Sequence, residues 1–98
     1  MKDFRMNAQR AAEEYRDKMI GKRYKHFKGG IYVVTGVAVH SETAGLIVIY
    51  RSYDGETKKV HTWARPMEMF LSEVDHEKYP DVDQIMRFEQ LAELGGKA

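Results

Sequence analysis

The sequence predicts a mainly β fold, α+β by content: a small SH3-like antiparallel barrel flanked by an N-terminal and a C-terminal α-helix. Three observations lead to this prediction. Apolar residues recur at helical spacing near both ends of the chain. Between them lie short runs rich in β-branched and aromatic residues, separated by turns that contain glycine. Closing such short antiparallel strands into a barrel would remove exposed sheet edges.

The N-terminal helix, residues 1–20, is predicted from one stripe of apolar or small side chains. They recur at steps of three and four: Phe4, Ala8, Ala11, Ala12, Tyr15 and Met19. Asp3 can cap the helix, and Gly21 can end it because glycine adopts the left-handed conformation without steric cost. We expect the stripe to pack on the core of its own chain. The alternative is a homo-oligomer through Phe4, Ala8, Ala11, Tyr15 and Met19.

The barrel core is predicted over residues 21–75. Four strands are expected at 23–27, 31–40, 46–53 and 57–64, with a hairpin at Asp54-Gly55 and a short fifth strand near 71–74. One face of the second strand is expected to form core: Ile31, Val33, Thr35, Val37 and Val39. Gly36, on the other face, indicates either a bulge that bends the strand or a close approach by a ligand, and we favour the bulge.

Residues 76–98 are predicted to form an acidic loop and the C-terminal helix. Asp81-Val82-Asp83 is a good helix start and Gly95-Gly96 a good stop. The apolar residues between them are Val82, Ile85, Met86, Phe88, Leu91, Ala92 and Leu94. Met86-Arg87-Phe88 could instead be extended. Because 98 residues supply only one core, all three parts are expected to form one domain.

Charge is distributed unevenly along the chain, although the formal net charge is only +1. Residues 21–65 hold eight Lys or Arg against three Asp or Glu, whereas residues 66–98 hold three against eight. This asymmetry indicates either an anionic ligand on the basic middle or attraction between the two parts. No cysteine, signal peptide or membrane-length apolar run is present, so we expect a cytoplasmic protein without membrane contact.

Three sequence blocks carry a resemblance to a known family. They are residues 24–32 (YKHFKGGIY), 38–43 (AVHSET) and 63–70 (WARPMEMF), and their order and spacing agree as well. The chain thereby resembles the bacterial and phage family called domain of unknown function 1653, over about residues 21–89. The resemblance implies a compact β-rich domain and carries no established reaction or ligand. His61 departs from the family pattern.

Seven residues are predicted to surround a polar pocket at one end of the barrel: Tyr24, His26, His40, Glu42, Thr43, Trp63 and Arg65. Trp63 and Arg65 lie two apart on one strand face, which suits stacking beside a planar cation. His40 with Glu42 could supply directed hydrogen bonds, and the ordinary alternative is that this segment only ties its own turn. Likewise, Trp63 could be a core anchor and Arg65 an ion-pair partner of Glu68.

The function predicted from these residues is a small binding module for an anionic planar ligand, such as a nucleotide or single-stranded nucleic acid. Residues 22–28 interleave four cations with two aromatic residues, as single-strand binders do. The alternatives are a small enzyme with His40 and Glu42 as an acid–base pair, and a protein-interaction domain. We expect no cofactor and no metal, because the four histidines lack a ligand spacing: His26, His40, His61 and His76.

Overall fold

The computed structural model of the protein describes residues 4–92. Its elements, in chain order, are α1 (Phe4–Met19), β1 (Arg23–His26), β2 (Ile31–Val39), β3 (Leu46–Asp54), β4 (Lys59–Pro66), α2 (Met67–Phe70) and β5 (Phe88–Gln90). The fold is therefore mainly antiparallel β, with five strands and two helices. None of the described helices is long and apolar enough to cross a membrane.

The five strands form one antiparallel sheet in the order β4-β3-β2-β1-β5. β4 and β5 are its edges, so the ladder is open and the predicted closed, SH3-like barrel is not confirmed. Closure would require the two edge strands to pair with each other, whereas the three-residue β5 pairs with β1. The sheet is nevertheless curled, because the Arg65 guanidinium carbon on β4 lies 5.2 Å from the ring centre of Phe88 on β5.

The predicted N-terminal helix is confirmed as α1, and Gly21 follows it with a φ of 84°, in the left-handed region. The stripe packs on the core of its own chain, since Ala12 and Met19 are buried and Tyr15 lies against the core cluster. Arg16 fastens the helix to β2 by donating from Nε to the carbonyl oxygen of Val37 at 2.9 Å. Asp3, the predicted cap, lies outside the described residues.

A bulge in β2 changes which residues face the core. The register with β3 shifts between Val34 and Gly36, which confirms the bulge at this glycine. Because one extra residue is inserted, Val34 and Val37 both point into the core and are only 1% and 4% exposed. Ile31 is 46% exposed, so its predicted place on a core face shared with Val37 is wrong. Side chains alternate between the two faces of a strand, and a bulge interrupts this alternation. The sequence alone does not show which residues face the core on either side of the bulge.

The predicted C-terminal helix is wrong over the described part of the chain. Residues 82–87 are irregular and Phe88–Gln90 form β5, paired with β1. The Phe88 ring stacks on Phe70 at 4.2 Å, and this burial outweighs helical propensity. Gln84 Nε2 pins the segment by donating to the carbonyls of Lys25 and Met86. Leu94 and the predicted Gly95-Gly96 stop lie outside the described residues.

The segment between β4 and β5 also differs from its prediction. Residues 67–70 form the single helical turn α2, which follows Pro66. The strand expected near 71–74 is reduced to one isolated bridge between Glu73 and Met86. α2 delivers Phe70, which is fully buried, to the centre of the core.

Five aromatic rings form the part of the core that lies beneath the candidate site: Tyr24, Tyr32, Tyr50, Phe70 and Phe88. Adjacent ring centres are 4.2 to 5.8 Å apart, and most pairs meet edge to face. Burying a ring such as Phe70 stabilises the fold by roughly 1.5–3 kcal/mol. The cluster joins β1, β2, β3, α2 and β5, and it therefore gives the neighbouring polar side chains a rigid support.

Candidate anion-binding site

The curled sheet brings two of the predicted site residues, His26 on β1 and Arg65 on β4, to the same cleft. Its volume is about 370 Å³. We call it the cationic cleft, and it is lined by His26, Phe27, Lys28, Arg65, Asp75, Lys78, Tyr79 and Arg87. These residues come from the β1–β2 turn, the end of β4 and the connection between α2 and β5. An open sheet is thus sufficient to assemble a site from distant parts of the chain.

Arg65 is half-buried, and its orientation is fixed from two sides. Its Nε donates to the hydroxyl oxygen of Tyr50 at 3.1 Å. The guanidinium also lies against the ring of Phe88, a favourable cation–π contact. The ion pair with Glu68, the alternative interpretation of Arg65, is not formed, and these two contacts hold the guanidinium instead. Because Nε is used for the hydroxyl, the hydrogen-bonding capacity of the two Nη groups is not used by Tyr50.

Arg87 is anchored in the same way. Its Nε donates to the Ser72 hydroxyl oxygen at 3.0 Å, and its backbone N–H donates to the Ser72 carbonyl at 2.9 Å. The neighbouring Phe88 is buried, which fixes the backbone that carries Arg87. The cleft therefore contains two half-buried arginines, each held through Nε by a hydroxyl group.

His26 lines the cleft with its ring in a defined hydrogen-bonding state. Its Nδ1 accepts the backbone N–H of Lys28 at 3.1 Å. An Nδ1 that accepts a hydrogen bond carries no proton, so the neutral ring carries its proton on Nε2. Burial lowers the pKa of His26 below its usual value of 6.5, and the positive charges of Arg65, Arg87 and Lys28 lower it further.

The two lysines of the cleft are gathered around Tyr79. The Lys28 and Lys78 ammonium nitrogens lie 5.2 and 5.5 Å from its ring centre, and the Phe27 ring meets it at 5.0 Å. A hydrogen bond with the Lys28 side chain, together with the charges of both lysines, lowers the pKa of Tyr79. The ring therefore holds the two ammonium groups at the cleft.

The cleft carries an excess of positive charge. Four basic side chains, those of Lys28, Arg65, Lys78 and Arg87, line it beside one carboxylate, Asp75. Asp75 Oδ1 already accepts the backbone N–H groups of Glu77 and Lys78. An anion is the ligand that such a surface attracts. Within residues 4–92, no group of three or more His, Asp or Glu side chains is arranged to hold a metal ion.

The other predicted histidine, His40, lines a wider groove of about 750 Å³ instead of the cationic cleft. Thr43 and Arg65 line this groove too, and apolar side chains such as Leu46 and Met67 form much of its wall. His40 Nδ1 accepts the backbone N–H groups of Glu42 and Thr43 at 3.1 and 3.3 Å. The ring is thus bonded to the backbone of Glu42 and not to its carboxylate, which is the arrangement of a tied turn.

The remaining predicted residues are Tyr24, Trp63 and Thr43. Tyr24 is only 5% exposed, its burial raises its pKa, and it packs on Phe70, so it belongs to the core. Trp63 is 48% exposed, and its Nε1–H donates to the Ser52 hydroxyl at 3.1 Å. Thr43 Oγ1 accepts the backbone N–H of Gly45 within the turn after His40.

Four lining residues were missed by the sequence prediction: Asp75, Lys78, Tyr79 and Arg87. All four lie in the stretch that the charge count marked as acidic, and a helix was expected at Arg87. The available signal was the possibility that Met86-Arg87-Phe88 is extended, which would have separated the buried Phe88 from its charged neighbour. Lys28 was part of the predicted basic segment, and it does line the cleft.

The family comparison agrees with the boundaries of this architecture. Residues 22–90, well over half of the chain, match the family described as protein of unknown function DUF1653. The chain belongs to the DUF1653 family. The DUF1653 match begins just after α1 and contains all five strands and every residue that lines the cationic cleft. No curated protein and no solved structure matches the chain.

Proposed function

We propose that this protein is a small binding module for an anionic planar ligand, such as a nucleotide or single-stranded nucleic acid, and that the cationic cleft binds the anionic group. The observation that carries the proposal is the set of four Lys and Arg side chains beside one carboxylate, whose Oδ1 is already hydrogen-bonded to backbone amides. Uncompensated charge of one sign in a cleft favours a counter-charged ligand.

The chemistry of the donors supports a phosphate or carboxylate as the anionic group. A guanidinium offers paired N–H donors that match two oxygens of such a group, and Arg65 and Arg87 are both held in place through Nε. The neutral His26 ring adds an Nε2–H donor. The cleft volume, about 370 Å³, lies in the lower part of the range of small-ligand sites.

Trp63 is the residue on which the planar part of the ligand stacks in this proposal. In the β3–β4 register, Trp63 is opposite Tyr50 and Arg65 is opposite Val48, so both side chains of β4 lie on the core face of the sheet. Two residues along a strand span about 7 Å, comparable with the separation of phosphate and base in a nucleotide. The exposed indole ring, oriented by its bond to Ser52, is a stacking platform at that distance.

Titration with nucleotides and a short single-stranded DNA tests this proposal directly. Trp63 is the only tryptophan of the chain, so its fluorescence reports a base that stacks on it. We expect quenching that saturates, together with a rise in melting temperature. Arg65→Ala and Arg87→Ala should each weaken binding about tenfold or more, because a charge-assisted hydrogen bond contributes roughly 1.5–3 kcal/mol.

Lys59→Ala is the matched control, because Lys59 is an exposed cation of β4 that does not line the cleft. It should bind nearly as well as the unchanged protein, and urea unfolding midpoints should show that all three variants are folded. Equal losses in the Lys59 and Arg65 variants would mean a diffuse charge effect and would contradict the proposal. So would the absence of binding to every nucleotide and single strand.

A further inference from the structure

We propose that the anionic group bound by the cationic cleft is a phosphate monoester, the terminal phosphate of a small molecule, and not the phosphodiester of a strand interior. This inference rests on the proposed function and specifies the chemical class of the anionic group. It follows from the number, the arrangement and the charge of the hydrogen-bond donors in the cleft.

The first observation concerns which hydrogen-bond donors of the two arginines are already used. The Nε of Arg65 and the Nε of Arg87 are used by the hydroxyls of Tyr50 and Ser72. In the described part of the chain, the four Nη atoms make no further hydrogen bond, and both guanidinium groups line the same cleft. Each arginine therefore presents a pair of Nη groups whose position is already fixed by the protein.

The second observation is the number of hydrogen-bond donors in the cleft, compared with the number of oxygens that each kind of phosphate group offers. Two arginines, two ammonium groups and His26 Nε2–H supply more donors than the two non-bridging oxygens of a phosphodiester can accept. A phosphate monoester has three terminal oxygens, each a strong acceptor. Arginine and histidine donors left without a partner in the half-buried part of the cleft would lose the hydrogen bonds that they make with water, so the cleft favours the group with more oxygens.

The third observation is charge. The four cations and Asp75 leave an excess of three positive charges, counted from the lining residues. A phosphate monoester carries about −1.5 to −2 at neutral pH, while a phosphodiester carries a single negative charge. The monoester therefore neutralises more of the excess at one point in space.

Calorimetric titration with four probes tests the inference at constant pH and ionic strength. The probes are adenosine 5′-monophosphate, its phosphate methyl ester, ribose 5-phosphate and inorganic phosphate. The methyl ester keeps the base, the sugar and one charge, but it replaces a terminal oxygen by an ester oxygen. We expect it to bind about tenfold or more weakly than the monophosphate, which corresponds to roughly 1.4 kcal/mol. Ribose 5-phosphate and inorganic phosphate separate the contribution of the base from that of the phosphate.

Arg87→Lys sharpens the test because it keeps the charge and removes the paired donors. The preference for the monophosphate over its methyl ester should fall several-fold in this variant and persist in Lys59→Ala. Urea midpoints check that both variants are folded, and Arg65→Lys provides a second variant at the same cleft. Equal binding of the two esters by the unchanged protein would overturn the monoester inference while leaving the proposed function intact. Absence of binding by all four probes and by single-stranded DNA would overturn both.

Discussion

In each of four turns of this protein, one side chain accepts a hydrogen bond from the backbone of the same turn. Each of His26, His40, Asp54 and Asp75 accepts the backbone N–H of the residue two positions ahead, at 2.9 to 3.1 Å. Asp54 lies in the hairpin between β3 and β4, and its hydrogen bonds with Glu56 and Thr57 lower its pKa. Two of the four histidines thus act as turn formers through Nδ1, a role that aspartate and asparagine usually take.

The burial of His26, together with the positive charges around it, makes stability depend on pH. The pKa of His26 is lowered in the folded state, so the unfolded chain takes up the proton first as the pH falls. The contribution of His26 to stability is therefore constant well above the usual pKa of 6.5 and declines as the pH falls from there through the lower pKa of the folded protein. Urea unfolding at a series of pH values should show this decline.

His26→Asn is the variant for this measurement, because an asparagine oxygen can accept the same N–H and does not titrate. We expect the variant to lose less stability than the unchanged protein between neutral pH and about pH 5. Comparing the two proteins cancels the contributions of the other histidines and of the carboxylates. Parallel curves for the two proteins would show that His26 protonation is not coupled to folding.

At the scale of elements, the β1–β2 turn decides where Lys28 lies. Gly30 in this turn has a φ of 88°, and a Cβ there would lie 3.3 Å from the Tyr32 ring. Gly30→Ala should cost roughly 1–2 kcal/mol, the penalty for a side chain in the left-handed region. Gly55→Ala is the matched control, since that turn glycine has open space around it and no positive φ.

The two glycine variants are compared by urea unfolding. The Gly55 variant should stay within about 0.5 kcal/mol of the unchanged protein or gain a little stability, because alanine restricts the unfolded chain. A cost at Gly55 equal to that at Gly30 would contradict the role of the left-handed turn. Since the turn carries Lys28, the Gly30 variant should also bind the anion more weakly.

The elements that could be predicted are those fixed by local signals. The stripe in α1, the glycine after it and the hairpin at Asp54-Gly55 depend on neighbouring residues only, and the structure contains all three. β5 depends on a distant partner, because Phe88 is extended in order to stack on Phe70 beside β1. The spacing of its apolar residues is typical of a helix. The contact with Phe70, which outweighs helical propensity, is not indicated by any neighbouring residue.

At the scale of the whole molecule, the candidate site could be predicted only in part, because local sequence signals do not determine which distant residues meet. His26 and Arg65 could be named from their residue types, and the curled sheet places both at the cationic cleft. His40 has the same residue type and lies in a different groove, because strand direction and register decide which ends meet. Lys78, Tyr79 and Arg87 reach the cleft only through the path of the long connection before β5, which local pattern does not determine.

The acid-rich end of the chain contributes to the basic site in an unexpected way. Lys78 and Arg87, the two described Lys or Arg residues of the stretch after residue 65, both line the cationic cleft. Summed charge along a segment therefore conceals the local field, which depends on the side chains that converge in space. An anionic ligand on the basic middle was one of two interpretations of the asymmetry, and two of the four cations that line the cationic cleft lie in the segment of opposite net charge.

Chemical-shift mapping by NMR, during titration of the isotope-labelled protein with adenosine 5′-monophosphate, locates the surface that binds the anion. We expect the largest changes at the residues that line the cationic cleft, in residues 26–28 and 78–79 and at Arg65 and Arg87. Smaller changes should extend along β4 to Trp63. Changes concentrated instead at residues 40–46 and Leu71, around the wider groove, would contradict the account.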